Sequence, residues 1–515
     1  MVFFAISITP NAQKGKCTQY SQHKKKVYLC RMKFRIAFLL LFVFCAQLSA
    51  DPKREIRAVW LTTNYGLDWP SKPLKNDSDV LIQKEELNRV LTCLQEANIN
   101  VVFLQTRLRG DVIYPSGIEP YNEYIKSKSY NNPDYDMLAY AIEACHEKGM
   151  ECHAWFVTYP LGAKTKDLPP ALKNKKYLVR TFQDELYLDP GNPETDTYLL
   201  SLITELVSKY DIDGLHFDYV RYPDKAAKFP DESSYKQYGR KQPKEDWRRG
   251  NISRFIYAAY DTVKALKPWV QVSSSVVGMY EKIGNTPAHW TAFHDVYQDP
   301  VDWMEKGKHD FIVPMMYYSD NLFFPFVPDW VLRSKERLVV AGLGLYQMDE
   351  AEMNWPTETI LNQIHHSREH QAGGNAFYRT KYMTDNKKGI LDEIKKIYSN
   401  PAVLPPLTWL SETIPSTPQS LEVVSKDDRI CFQWESNENK EGRIFYNLYR
   451  SAGFPVDIEN PENLVATRLP RPQFEIPLDN SIESGYYYVI TSYDRFHTES
   501  EASFSVYFIT GDFEK

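Results

Sequence analysis

Eight short apolar runs alternate with helix-patterned segments between residues 56 and 379, and no other feature of the 515-residue chain limits its fold as sharply. The runs are 56–63 (IRAVWLTT), 101–106 (VVFLQT), 151–158 (ECHAWFVT), 212–219 (IDGLHFDY), 270–277, 311–318 (FIVPMMYY), 338–345 (LVVAGLGL) and 375–379. Between them, 81–98, 135–148, 194–210, 252–266, 301–306 and 357–370 carry apolar residues at helical spacing, as Leu87, Val90, Leu91 and Leu94 do in the first. Such alternation implies parallel strands joined by helical crossovers, and eight of them close most economically into a ring. An open doubly wound sheet would carry a glycine-rich phosphate loop after its first strand, and WLTTNYGLDWP is not one. The expectation for residues 51–400 is therefore an α/β fold, a (β/α)8 TIM barrel.

The pattern changes after a proline-rich connector at 401–418. Short alternating runs follow over 419–515, among them RICFQWE, RIFYNLYRS and YYYVITSYD, broken by Asn, Asp and Gly clusters. About seven short strands in about 100 residues is the signature of a small all-β immunoglobulin-like sandwich. Trp434 and the YYYVITSYD tyrosines resemble the core of a fibronectin type III domain.

The segment 33–50 (KFRIAFLLLFVFCAQLSA) joins a basic start to an apolar centre and small residues before Asp51. This is the pattern of a secretory signal, too short for an ordinary spanning helix, so residues 1–50 read as a leader with Met32 as an alternative start. The expectation is an exported protein, periplasmic or extracellular, with no stable membrane insertion after cleavage. Cys45 follows the bulky Phe44, which disfavours lipid attachment there. Residues 1–50 hold eight Lys or Arg and no acid, so cleavage takes the formal charge from −6 to −14, which argues against a nucleic-acid partner. Cys93, Cys145, Cys152 and Cys431 remain, too few for a disulfide framework and best read as buried thiols.

In a barrel of this kind the reacting groups sit at the C-terminal ends of the strands. Those ends offer Trp60 and Asn64, then Gln105, Arg107 and Arg109, then His153 and Trp155, then His216, Asp218, Arg221 and Tyr222, and later Tyr317 and Arg379. Amides and guanidiniums can hold pairs of hydroxyls while ring faces take the apolar side of a sugar, so the group reads as a polysaccharide site. Along 212–219, alternation puts Leu215, Phe217 and Tyr219 under the helices and aims His216 and Asp218 into the barrel. Glycoside hydrolysis ordinarily uses two carboxyls, one protonated and one ionised. Asp218 is the candidate for the ionised member, with Arg221 or Arg107 expected to hold its pKa low. For the acid, Asp299 is selected over Asp295, Glu281 and Asp320, although in YQDPVDW it equally suits a helix N-cap. Asp213 lies at the opposite end of its strand, where a structural role is expected. His365, His366 and His370 are expected on a solvated helix face, and the chain calls for no metal and no cofactor.

The ordered motifs REIRAVWLTT, LQTRLRGDVIYPSGIEP, GMECHAWF, LYLDPGNPE, DGLHFDYVRYP, DWRRGNI and WMEKGKHDFIVPMMYY resemble the glycosyl hydrolase-like 10 family over roughly residues 54–380. The resemblance implies a glycosidase on a (β/α) barrel whose characterised members cleave bacterial cell-wall glycan strands stripped of their peptides. It also implies that Asp218 is the acidic residue of the family's HFD motif and that Gln105, Arg107, His153, Trp155, His216 and Tyr317 occupy matching positions. The chain departs from the family pattern at Tyr219, where many members carry a second acid, at Val157 to Pro160, and in PMMYY. A plant or host polysaccharide is the alternative substrate. A non-catalytic carbohydrate-binding protein on a decayed barrel is the alternative function, separated from hydrolysis by whether a second carboxyl accompanies Asp218. An acetyl-removing enzyme would need a His and Asp metal cluster or a serine nucleophile motif that the sequence lacks.

Overall fold

A computed structural model describes residues 51–509 apart from 131, 133, 288–289, 436–442 and 479–484, and the side chain of Asp320. The leader with its signal motif, residues 1–50, lies outside the described residues. Eight parallel strands form a closed ring: β1 (Ile56–Leu61), β2 (Val101–Arg107), β3 (Glu151–Val157), β4 (Gly214–Asp218), β5 (Gln271–Val277), β6 (Phe311–Met315), β7 (Leu338–Gly344) and β8 (Gly374–Tyr378). Closure comes from β1, which pairs with β2 on one side and with β8 on the other. The eight runs expected from sequence are the eight barrel strands. Helices such as α1 (Asp77–Glu96), α2 (Met137–Glu147), α3 (Pro193–Lys209) and α4 (Lys244–Leu266) lie between them. An excursion after β3 adds a separate three-stranded antiparallel sheet, Pro160–Ala163, Val179–Phe182 and Glu185–Leu188, that the sequence reading did not resolve.

Alternation along each strand divides the core in two. Outward residues such as Leu61, Leu104, Phe156, Leu215 and Phe217 join the helices in one large cluster. Inward residues fill the barrel, where Ala58, Trp60, Phe103, Trp155, Phe311, Val313, Val340 and Ala376 pack together. Gly214 is needed here, since a Cβ on it would lie 2.2 Å from Nδ1 of His153, whose ring fills that space.

The proline-rich connector lies across the N-terminal base of the barrel. Val403 exchanges backbone hydrogen bonds with Lys53 and Glu55, and Leu404 is buried against the inner barrel core. Two small antiparallel sheets follow. One holds β9 (Gln419–Lys426), β10 (Arg429–Glu435) and β13 (Gln473–Pro477); the other holds β11 (Phe445–Ser451), β12 (Leu464–Leu469), β14 (Tyr486–Tyr493) and β15 (Val506–Phe508). Phe432 and Trp434 from the first meet Leu448, Tyr488 and Ile490 from the second in a shared core. Strand β12 was absent from the runs singled out in the sequence, because LVATRL alternates only weakly.

The β-sheet domain is tied to the barrel base through buried charge. Arg468 on β12, itself at φ 53, directs its guanidinium to Glu151 and, at 3.0 Å, to Asp213. Nε2 of His497 meets Glu151 at 2.8 Å, and Nε2 of His146 meets Asp213 at 2.6 Å. Burial alone would raise both carboxyls, but His497 and Arg468 outweigh it at Glu151, as His146 and Arg468 do at Asp213, and both are held well below the ordinary carboxylate range. Asp213 is thus part of the base.

Candidate active site

The C-terminal ends of the strands enclose a cavity of ≈ 210 Å³. Its walls carry the rings of Trp60, Trp155, Tyr219, Tyr317 and Tyr378, with Gln105, Asn64, Ser275, Arg109 and Arg221 between them, and Asp218 supplies its carboxyl. Asp218 is the last residue of β4 and points inward, as alternation requires. Its Oδ2 accepts the indole N–H of Trp155 at 3.1 Å, and its Oδ1 accepts the backbone N–H of Tyr219 at 2.7 Å. Tyr219 adopts φ 50, which turns the chain sharply after the strand. This turn explains why Tyr219 lines the cavity instead of packing under the helices as alternation predicts: the strand has already ended.

The pKa of Asp218 runs opposite to expectation. Burial raises it, and this outweighs the opposing pull of Arg221, of the Tyr219 and Trp155 N–H groups and of Arg109. A carboxyl shifted upward at a sugar-sized mouth is suited to carry a proton to a leaving group. Among the described residues it is the only carboxyl that lines the cavity.

Below this floor lies a neutral support. His216 is fully buried and stacks on Phe103 with ring centroids 4.0 Å apart. The indole N–H of Trp60 donates to its Nε2 at 3.1 Å, which leaves the ring proton on Nδ1 to donate to Oγ of Ser273 at 2.8 Å. Burial holds its pKa well below the ordinary imidazole value. His216 therefore orients Trp60 and does not itself line the cavity. The loop after β1 is held by Gln105, whose Oε1 accepts Oγ1–H of Thr62 at 2.6 Å and the backbone N–H of Asn64 at 3.2 Å.

Of the residues selected from sequence, Trp60, Gln105, Trp155, Asp218, Arg221 and Tyr317 meet at the cavity. Arg221 stacks over the Tyr219 and Trp290 rings and leaves Nη1 buried with no hydrogen-bond partner among the described residues. Besides His216, five others go elsewhere, for identifiable reasons. The β2–β3 register shifts between Gln105 and Arg107, which puts Arg107 opposite the outward Phe156; its guanidinium clips Glu119 at 2.6 Å and the carbonyl of Thr158 at 2.9 Å. His153 points inward but one layer too deep, with its Nε2 2.9 Å from Glu151. Tyr222 is fully buried among Phe229 and Tyr297. Arg379 falls one residue beyond the inward Tyr378 and clamps the β1 loop through Asp68 at 2.5 Å and the carbonyl of Leu67 at 2.7 Å. Asp299 caps the helix Pro300–Glu305 by accepting the N–H of Asp302, and the Tyr280 hydroxyl donates to it at 2.8 Å.

Sequence reasoning missed Tyr378, which stacks on Tyr317 with centroids 5.6 Å apart, and it missed Ser275 and Met315. Counting alternation forward from Ala376 would have found Tyr378. His366, Glu369 and His370 bring ligand atoms within 4.8 Å of one another on an outer helix, Thr357–Glu369 and its cap. His365 is exposed as expected, while His366 is half-buried, its Nε2 2.9 Å from the carbonyl of Phe324, against whose ring it packs. The four cysteines from Cys93 onward are unbridged. No helix among the described residues is long and apolar enough to cross a membrane.

A closed parallel barrel with a buried carboxyl and aromatic rings at its C-terminal mouth has the frame of a glycoside hydrolase, and the class itself is shown by the family and the relatives. The chain belongs to the glycosyl hydrolase-like 10 family, whose profile matches residues 55–328. It is 31% identical over 497 residues to glycosyl hydrolase YngK of Bacillus subtilis (strain 168), an alignment covering 90% of this chain and 95% of that one. It is 31% identical over 335 residues to glycosyl hydrolase DigH of Escherichia coli (strain K12), covering 59% of this chain and 75% of the relative. Among solved structures, the PgaB (BpsB) glycoside hydrolase domain from Bordetella bronchiseptica aligns at 13% identity and a TM-score of 0.48, covering 67% of this chain and 99% of that one.

Proposed function

We propose that this chain is an exported glycosidase that cleaves peptide-free glycan strands of the bacterial cell wall, with Asp218 transferring the proton. The observation that carries this reading is the placement of Asp218, held by Trp155 at 3.1 Å on the wall of an aromatic cavity at the barrel mouth. Substrate rings pack on Tyr317 and Tyr378, while Gln105 and Nη1 of Arg221 take hydroxyl or carbonyl oxygens. The family membership supports the reaction class, and the leader at 33–50 supports export. The three-plus-four strand arrangement after the connector supports a fibronectin type III-like domain that braces the barrel base.

Among the described residues Asp218 is the only carboxyl lining the cavity; that alone favours carbohydrate binding without hydrolysis, the family membership favours hydrolysis, and together they narrow the chemistry. Asp218, protonated, donates to the glycosidic oxygen as the C1–O bond breaks; the attacking group then has to come from the substrate or from water. The 2-acetamido group of an N-acetylated sugar can do this through its carbonyl oxygen, which forms a bond to C1 and closes a five-membered ring. Water then attacks C1, reopens the ring and returns its proton to the Asp218 carboxylate. Cell-wall glycans carry that group on every sugar. The test is to incubate the mature chain and its Asp218→Asn variant with purified peptide-free glycan strands and analyse the products. We expect the variant to lose about 10²–10⁴-fold in rate with unchanged thermal unfolding; full turnover by the variant refutes the assignment.

A further inference from the structure

A second groove of ≈ 500 Å³ continues from the mouth and shares Asn64 and Arg109 with it. Its outer edge holds two exposed aromatic rings, Tyr65 and Tyr124, at 61% and 55% exposure. They meet edge to face, with centroids 4.8 Å apart, so that each braces the other while open ring surface remains. Neither ring returns any packing to the core. Tyr65 nevertheless sits at φ 54 within the turn Asn64–Gly66, a left-handed conformation that disfavours a bulky side chain. Tyr124 follows an Asx turn in which Oδ1 of Asn122 accepts its backbone N–H at 2.9 Å. Across the groove, Lys166 is fixed by Oδ2 of Asp111 at 2.5 Å and the carbonyl of Arg109 at 2.6 Å. A strained turn that presents an aromatic ring to solvent, beside fixed polar groups and open to the reacting cavity, has the make-up of a carbohydrate platform.

We propose that Tyr65 and Tyr124 form a remote subsite for a 2-acetamido sugar unit lying further along the strand being cut, so that the protein selects long glycans over short ones. The inference rests on the carbohydrate reading given above but not on turnover. Its test is calorimetric binding of β-1,4-linked N-acetylglucosamine dimer and hexamer to the Asp218→Asn chain and to the same chain carrying Tyr65→Gly, Tyr124→Ala or both. The hexamer binds Asp218→Asn at least ~10-fold more tightly than the dimer, and each tyrosine change lowers that ratio by about 2–10-fold, the worth of one stacked ring. Glycine accepts the left-handed turn, so Tyr65→Gly does not lower the thermal midpoint, which separates a lost contact from a lost fold. An unchanged ratio in the double variant, or no preference for the hexamer in Asp218→Asn, overturns the subsite. If the ratio collapses as expected while the unaltered chain hydrolyses no glycan, the subsite stands and the proposed reaction falls.

Discussion

Replacing Arg468 by Met tests how the β-sheet domain is held to the barrel. The guanidinium is 2% exposed, lies over the Phe445 ring at 4.3 Å and bonds both Glu151 and Asp213. Methionine fills most of the volume but leaves two carboxylates with one cation fewer. Breaking a buried ion pair from one side costs about 3–5 kcal/mol. His497 at 2.8 Å and His146 at 2.6 Å still face the two acids, which favours the lower end, about 3 kcal/mol. At about 2.1 cal/mol/K of unfolding entropy per residue, a unit of roughly 460 residues shifts by about 1 °C per kcal/mol, so the main calorimetric transition of the full chain should fall by about 3 °C. Acid should erase the difference. Both acids are depressed in the folded state, so their stabilisation is complete above their unfolded pKa values of about 3.9 and 4.3, and is lost as pH falls through the folded values. The gap between the parent and Arg468→Met should therefore narrow on going below about pH 4. A midpoint within about 1 °C of the parent at pH 7 would refute the argument that this arginine compensates buried charge.

Two further outcomes follow from the same geometry. Trp155→Phe removes the N–H that stabilises ionised Asp218, so the carboxyl pKa rises further and the basic limb of kcat/KM against pH moves upward; a limb that stays in place, measured on peptide-free glycan, counts against Asp218 as the acid. Gly149→Ala should destabilise the full chain by about 1–3 kcal/mol, because its φ is +73 and a Cβ would lie 2.8 Å from the carbonyl of Thr467, where the β-sheet domain meets the barrel. An unchanged thermal midpoint in that variant would show that the contact yields freely.

The sequence by itself determined the ring of strands. Eight apolar runs with intervening helical spacing leave few topologies, and period-two alternation was enough to aim His216 and Asp218 inward and Leu215 and Phe217 outward. Motif order was enough to indicate the family. Tertiary structure decided which inward or terminal residues reach the cavity, because depth and register are not written in alternation. His153 and Trp155 share a face and differ by one layer; Arg107 is lost to a register shift; Arg379 yields its place to Tyr378 by a single residue. The upward shift of the Asp218 pKa was likewise decided in three dimensions. A nearby Arg221 is visible in the sequence, but the desolvation that outweighs it is a property of the closed barrel, as is the union of Arg468 with Glu151 and Asp213, which lie 317 and 255 residues away in the chain.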